Sequence, residues 1–91
     1  MSSYRDNKAV ALKYKQNETA PVIVASGLGH IAEKIVELAV EHDVPVYEDT
    51  SLATVLSQLK LGGQIPEELY NAIVEIYIYF LNFGSEEKDK E

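Results

Sequence analysis

The 91-residue chain contains no cysteine and no tryptophan, one methionine, and only 8 lysines and arginines against 15 aspartates and glutamates. Each shortage excludes a class of chemistry. Without cysteine there is no disulfide framework, no thiol nucleophile and no zinc–thiolate site, a composition that suits a reducing cytosol. A formal charge of −7 repels nucleic-acid phosphates and anionic lipid headgroups, so neither is expected as a partner. A long apolar run is missing too. The nearest approach, residues 69–83, is interrupted by Asn71, Glu75 and Asn82, so no membrane insertion is expected. Residues 1–7 are polar and lack the apolar segment of a secretion signal. The expected location is the cytoplasm.

What is present is ordinary for a small globular fold: 46% hydrophobic and 25% charged residues, enough for one domain with a modest core. In Ala9-Val-Ala-Leu-Lys-Tyr14, the residues Val10, Leu12 and Tyr14 alternate with Ala9, Ala11 and Lys13, the period of a half-buried strand. After a polar loop at residues 15–19 comes Val22-Ile-Val24, continuous and β-branched, which reads as a buried strand. Ser26-Gly-Leu-Gly29 reads as a turn. From His30 to about Glu41 the period becomes helical, with Ile31, Ile35, Leu38, Ala39 and His42 on one face and Glu33, Glu37 and Glu41 on the solvated one. Val44-Pro-Val-Tyr47 reads as a third strand, making residues 22–47 a βαβ unit with parallel strands. Asp49, Thr50 and Ser51 offer cap oxygens to a second helix carrying Leu52, Val55, Leu56 and Leu59, which Gly62 and Gly63 end. Pro66, Glu67 and Glu68 open a third helix whose core stripe is Leu69, Ile73, Ile76 and Phe80, widened by Tyr70, Val74, Tyr77 and Leu81. From Gly84 the chain is too polar to pack.

Gly27-Leu-Gly29-His-Ile-Ala32 matches the dinucleotide fingerprint G-x-G-x-x-A, with Glu48 and Asp49 at the distance of a ribose-binding acid. A minimal nucleotide- or cofactor-binding module is therefore the alternative reading. Too little chain remains for a second nucleotide-binding half, and the negative charge opposes an anionic ligand. The plainer reading makes Gly27 a strand end and Gly29 a helix start, where Gly29→Ala costs little. His30 and His42 lie twelve residues apart, too far for a helical ligand pair, and read as helix-end residues. Ser26 and Ser51 have no base in sequence reach, and Ser51 reads as a cap. Glu33, Glu37 and Glu41 form either a solvated face or a ridge for a basic partner. Ile78 and Tyr79 fall toward the polar side of the last helix and hint at a contact surface. No catalytic residue, metal site or cofactor is assigned.

Six ordered anchors carry a resemblance: Ala9-Val-Ala-Leu-Lys-Tyr14, Ala20-Pro-Val-Ile-Val24, Ala32-Glu-Lys-Ile35, Val44-Pro-Val46, Leu52-Ala53 and Ile65-Pro-Glu-Glu-Leu-Tyr70. Together they resemble the cytoplasmic domain of the type III secretion export-switch family (FlhB, YscU, SpaS), across about Ala9 to Phe83. In that family an Asn-Pro-Thr-His motif precedes the first of these strands, and its Asn attacks its own carbonyl carbon to cut the chain. Here Tyr4, Arg5, Asp6 and Asn7 stand at those positions. Tyr4 has no amide and Arg5 does not lock the backbone, so self-cleavage is not expected.

The resemblance implies an α/β fold, a small mixed β-sheet of three to four strands covered by three helices. It also implies a flexible leader at 1–8, the family domain at 9–83 and a disordered acidic tail at 84–91. The chain resembles the released C-terminal piece of an export-switch protein without the membrane domain. The implied role is non-enzymatic protein–protein contact in flagellar or type III export or its specificity switching, with export-apparatus proteins and export substrates as partners. The family's small hydrophobic recognition patch falls, by position, on Ala20, Pro21, Ala53 and Leu56. For Leu56 a core position and a groove position fit the sequence equally.

Overall fold

The computed structural model describes residues 7–84. The degenerate cleavage motif at Tyr4, Arg5 and Asp6 and the acidic tail from residue 85 lie outside the described residues. Two strands, β1 (Lys8–Lys13) and β2 (Val22–Leu28), pair antiparallel from Lys8↔Leu28 to Lys13↔Val22, with an irregularity between Ala11 and Leu12. Three helices follow: α1 (His30–Glu41), α2 (Thr50–Ser57) and α3 (Tyr70–Tyr79). A 3-10 turn at Glu67–Leu69 leads into α3, and a wider π turn at Phe80–Gly84 ends it.

The α/β class and the three helices match expectation. The sheet is smaller than expected: it has two strands among the described residues. Residues 44–47 are exposed and form no strand: they pair with nothing described and make no parallel βαβ unit. Their β-branched composition favours an extended backbone, but a strand also needs a neighbour to bond. The second difference is β2, which runs on through Ala25, Ser26, Gly27 and Leu28, where a turn was expected.

The sheet lies between two unlike faces. On one side Ala20, Ile23, Leu56, Ile65 and Ile73 form the buried core, with Val10, Leu12, Leu52, Leu59, Leu69 and Ile76 packed around it. On the other side α1 packs on both strands. Its buried residue is Ala32, with Ile35 and Ala39 half-buried along the same stripe. Ile31, expected in the core stripe, is 60% exposed. It lies over Gly27, where an added Cβ would come within 2.2 Å of Ile31 Cγ2. A bare glycine in the strand lets the helix come this close.

The helix ends follow local chemistry. Asp49 Oδ1 accepts from the Leu52 amide at 3.0 Å, the cap expected of that residue. At the other end of the 42–49 connection, Asp43 takes a left-handed backbone (φ 61). The Val44 amide then reaches the Ala39 carbonyl at 2.8 Å and the Asp43 amide the Val40 carbonyl at 3.2 Å. That is the paired bonding of a Schellman ending. With its proton on Nδ1, His42 donates to the Leu38 carbonyl at 2.9 Å, placing it at the helix end as expected. Gly29 departs from expectation. Its φ of 58 and ψ of −126 belong to a region open essentially to glycine, so Gly29→Ala is strained rather than neutral.

Candidate functional site

The loop before β2 and the first turns of α3 face each other across an open cleft of about 350 Å³. One wall comes from Tyr14, Thr19, Ala20 and Pro21, and the other from Ile65, Tyr70, Ile73, Val74 and Tyr77. Three features hold the walls in place. Pro21 has no amide hydrogen to leave unpaired at the strand entrance, and its carbonyl accepts from the Ile65 amide at 3.1 Å. The Ile23 amide donates to the Gly63 carbonyl at 2.9 Å, and the Gly62 amide to the Ile23 carbonyl at 2.7 Å. Gln64 Nε2 donates to Glu18, tying the polar loop to the same segment. The α2–α3 connection is thus sewn to the first half of β2, and it sets where α3 begins.

The floor is buried and the rim is open. Ala20 is 1% exposed, whereas Tyr14 is 57% and Val74 50% exposed. On α3, positions 70, 73, 74 and 77 share one side at helical spacing, so the helix presents a row of apolar side chains to the cleft. Burial pushes the Tyr77 phenol above the ordinary tyrosine range, and the neighbouring Tyr14 acts in the same direction. A concave apolar surface rimmed by phenol hydroxyls suits an apolar side chain on an extended segment, with polar contacts left for its backbone.

Of the four patch residues implied by resemblance, the structure brings Ala20 and Pro21 to this cleft. Ala53, half-buried on α2, does not line it. Leu56 is 5% exposed and sits in the core with Ala20, Ile23, Ile65 and Ile73. The cleft wall that sequence reasoning did not single out is Tyr70, Val74 and Tyr77, which read only as a widening of the core stripe. The signal was present as three apolar residues more than one core face can use.

The glycine turn is arranged differently from a pyrophosphate cradle. The Gly29 amide is already given to the Asn7 carbonyl at 3.0 Å. Gly27 lies under Ile31, and Asp49 caps α2. Among the described residues no group of three or more His, Asp or Glu side chains is placed to hold a metal ion. No helix among them is long and apolar enough to cross a membrane. A second apolar feature is an aromatic cluster in which Tyr79 packs edge-on to Tyr47 at 5.3 Å and tilts against Phe83 at 4.7 Å. It pins residue 47 to the end of α3, and Ile78 and Tyr79 beside it are about half exposed.

Comparison with known proteins places these features. The model of the FlhB HrpN YscU SpaS family matches residues 6–80. The chain is 38% identical over 85 residues to the uncharacterized protein YlqH of Bacillus subtilis, covering 92% of this chain and 91% of that one. It is 41% identical over 75 residues to the flagellar biosynthetic protein FlhB of Aquifex aeolicus, covering 80% of this chain but only 21% of FlhB. The crystal structure of the cytoplasmic domain of FlhB from Shewanella putrefaciens superposes with a TM-score of 0.83 at 31% identity, over 90% of this chain and 69% of that one. The EscU C-terminal domain gives 0.72 at 32% identity, over 78% and 88%. The chain spans about a fifth of the FlhB proteins it matches and nearly the whole of YlqH. This protein belongs to the FlhB HrpN YscU SpaS family and has the fold of its cytoplasmic domain.

Proposed function

We infer that this chain is a non-cleaving, protein-binding relative of the export-switch cytoplasmic domain, working in the bacterial cytoplasm in type III, flagellar-type export. It acts by contact rather than catalysis. The cleft between Pro21 and α3 takes an apolar side chain from an extended segment of an export substrate or an export-apparatus protein. The observation that carries this reading is the cleft itself: an open, apolar concavity whose backbone frame is fixed by the Pro21–Ile65 and Ile23–Gly63 hydrogen bonds. Tyr4, Arg5, Asp6 and Asn7 in place of the cleavage motif support the non-cleaving part.

Val74→Asp is the sharpest test. Val74 is half exposed, so the folded chain should tolerate the change with a melt altered by no more than about 0.5 kcal/mol. A carboxylate on the cleft wall is costly to desolvate under an apolar ligand, and affinity for an early flagellar export substrate should fall by roughly tenfold or more. Ala53→Asp, made in parallel, tests the α2 half of the patch implied by resemblance and should leave that affinity unchanged. Full affinity in a folded Val74→Asp chain would remove the cleft from the mechanism.

A further inference from the structure

The side of α3 turned away from the cleft carries its own row. Glu75, Tyr79 and Phe83 follow one another at a spacing of four, which puts them on one stripe, opposite the cleft positions 70, 73, 74 and 77. Tyr47 comes in from the α1–α2 connection and completes a corner of three rings with Tyr79 and Phe80. Their centroids stand 5.3, 5.9 and 6.3 Å apart, and each pair of planes is steep, at 75°, 61° and 79°. Three such planes point their faces in three directions, so a group entering the corner meets a ring face as well as ring edges. Tyr47, Tyr79 and Phe83 each keep about half of their surface in solvent, as do Val44, Val46 and Ile78 around them. Aromatic rings left open to this extent, with apolar side chains beside them, mark a contact surface.

The charges say what covers it. From residue 35 to residue 84 the chain has eight acids and, of lysines and arginines, only Lys60. Two of those acids belong to the corner: Glu48 follows Tyr47 directly, and Glu75 sits one helical turn before Tyr79. Ring faces and carboxylates attract the same kind of group, a cation. A point equidistant from the three centroids lies well inside the reach of about 6 Å over which a ring face holds a cation. Arginine suits both features, because its flat guanidinium stacks on a ring while its edge donates to a carboxylate. The chain's own tail is a poor occupant, since residues 85–91 hold four acids against two lysines. A second copy packed corner to corner sets acid against acid, and the net charge of −7 on each copy adds to that repulsion. The same charge excludes an anionic lipid surface.

We propose that the aromatic corner of Tyr47, Tyr79 and Phe80, with Glu48 and Glu75 beside it, is a docking site for an arginine-bearing segment of another protein, with apolar residues flanking the arginine. It is independent of the cleft. The guanidinium is held by the rings and the two carboxylates, and the flanking apolar residues cover Val44, Val46 and Ile78.

The probe is the capped peptide Leu-Arg-Ser-Leu-Arg-Ser-Leu, titrated into the full isotope-labelled chain and followed by aromatic and amide shifts. Saturable shifts should centre on Tyr47, Tyr79 and Phe83. Citrulline in place of both arginines keeps their shape and removes their charge, and should weaken binding roughly tenfold or more. Tyr79→Leu, read beside a thermal melt, keeps an apolar side chain without the ring and should weaken it roughly threefold or more. Glu48→Gln combined with Glu75→Gln changes two exposed positions outside the core and carries the test should Tyr79→Leu fail to fold. That pair should cost roughly fivefold in affinity with the melt unchanged. The charge-matched pair Glu67→Gln and Glu68→Gln, at the other end of α3, should leave affinity as it is. Equal weakening by the two glutamine pairs would reduce the effect to bulk charge. Full binding of the citrulline peptide would remove the cation, shifts confined to Tyr14 and Tyr70 would place the peptide in the cleft, and a dimer of the free chain that covers Tyr79 would make a second copy the occupant. Each of these four results overturns the proposal.

Discussion

The two faces of the sheet are closed by opposite means. Toward α2 and α3 the gap is filled by volume, with Ile23, Leu56, Ile65 and Ile73 interlocked around Ala20. Toward α1 the gap is closed by the lack of volume: Ala9 and Ala32 are the buried residues, and Gly27 lets Ile31 lie on the strand backbone. The first face is sensitive to atoms removed and the second to atoms added. A composition count cannot distinguish them, because alanine and glycine contribute little to any hydropathy pattern.

The largest expected effect lies on the filled face. Leu56→Ala leaves a cavity inside the core and should lower unfolding free energy by about 2–5 kcal/mol in denaturant titration. A loss under about 1 kcal/mol would mean Leu56 is not a core residue, and would return it to the groove implied by resemblance.

On the close-approach face the single methyl of Gly27→Ala should cost about 1–3 kcal/mol, because its Cβ meets both Cγ2 and Cβ of Ile31. Ile31→Ala in the same chain should restore part of that loss. Strict additivity of the two changes would break the comparison, since it would show that the two side chains do not meet.

At the end of α1, Asp43→Gly should raise stability by up to about 1 kcal/mol, since glycine adopts the left-handed ending without a Cβ penalty. The smallest effect is at Tyr77, on the rim of the filled face. The folded chain holds the neutral phenol more tightly than the unfolded chain does. Its contribution is therefore complete below the ordinary tyrosine pKa, near 10, and is lost as pH rises through the raised value. Denaturant midpoints of Tyr77→Phe should decline less in that alkaline window than those of the parent.

Much of this was legible in the sequence, for identifiable reasons. The helix over residues 30–41 and the Asp49 cap are set by local periodicity and capping chemistry, and the structure has both; the strand expected at 9–14 lies at 8–13, and Pro66, extended itself, opens a 3-10 turn that leads into α3 only at Tyr70. The failures are non-local. Ser26-Gly-Leu-Gly29 carries turn-forming residues, yet β1 holds it extended and Ile31 needs the bare Gly27. Residues 44–47 have strand composition, but pairing depends on a neighbour that local sequence does not reveal. At the site, Tyr70, Val74 and Tyr77 have the spacing and apolarity of core residues. Only the position of the loop carrying Ala20 and Pro21 turns that side of α3 into a wall.

The stitch between Ile23 and residues 62–63 joins points about forty residues apart along the chain, and α1, α2 and their connection all lie inside the loop it closes. The connection itself, from residue 43 to 49, is exposed throughout. A protease cutting there would sever the polypeptide without cutting the fold. One fragment would carry both strands and α1, the other α2 and α3, and the two would share the hydrogen bonds at Pro21 and Ile23 and every residue of the core. The expected result of such a cut is two fragments that stay associated, which makes this exposed connection, rather than the stitched segment at 62–65, the place to insert a second polypeptide.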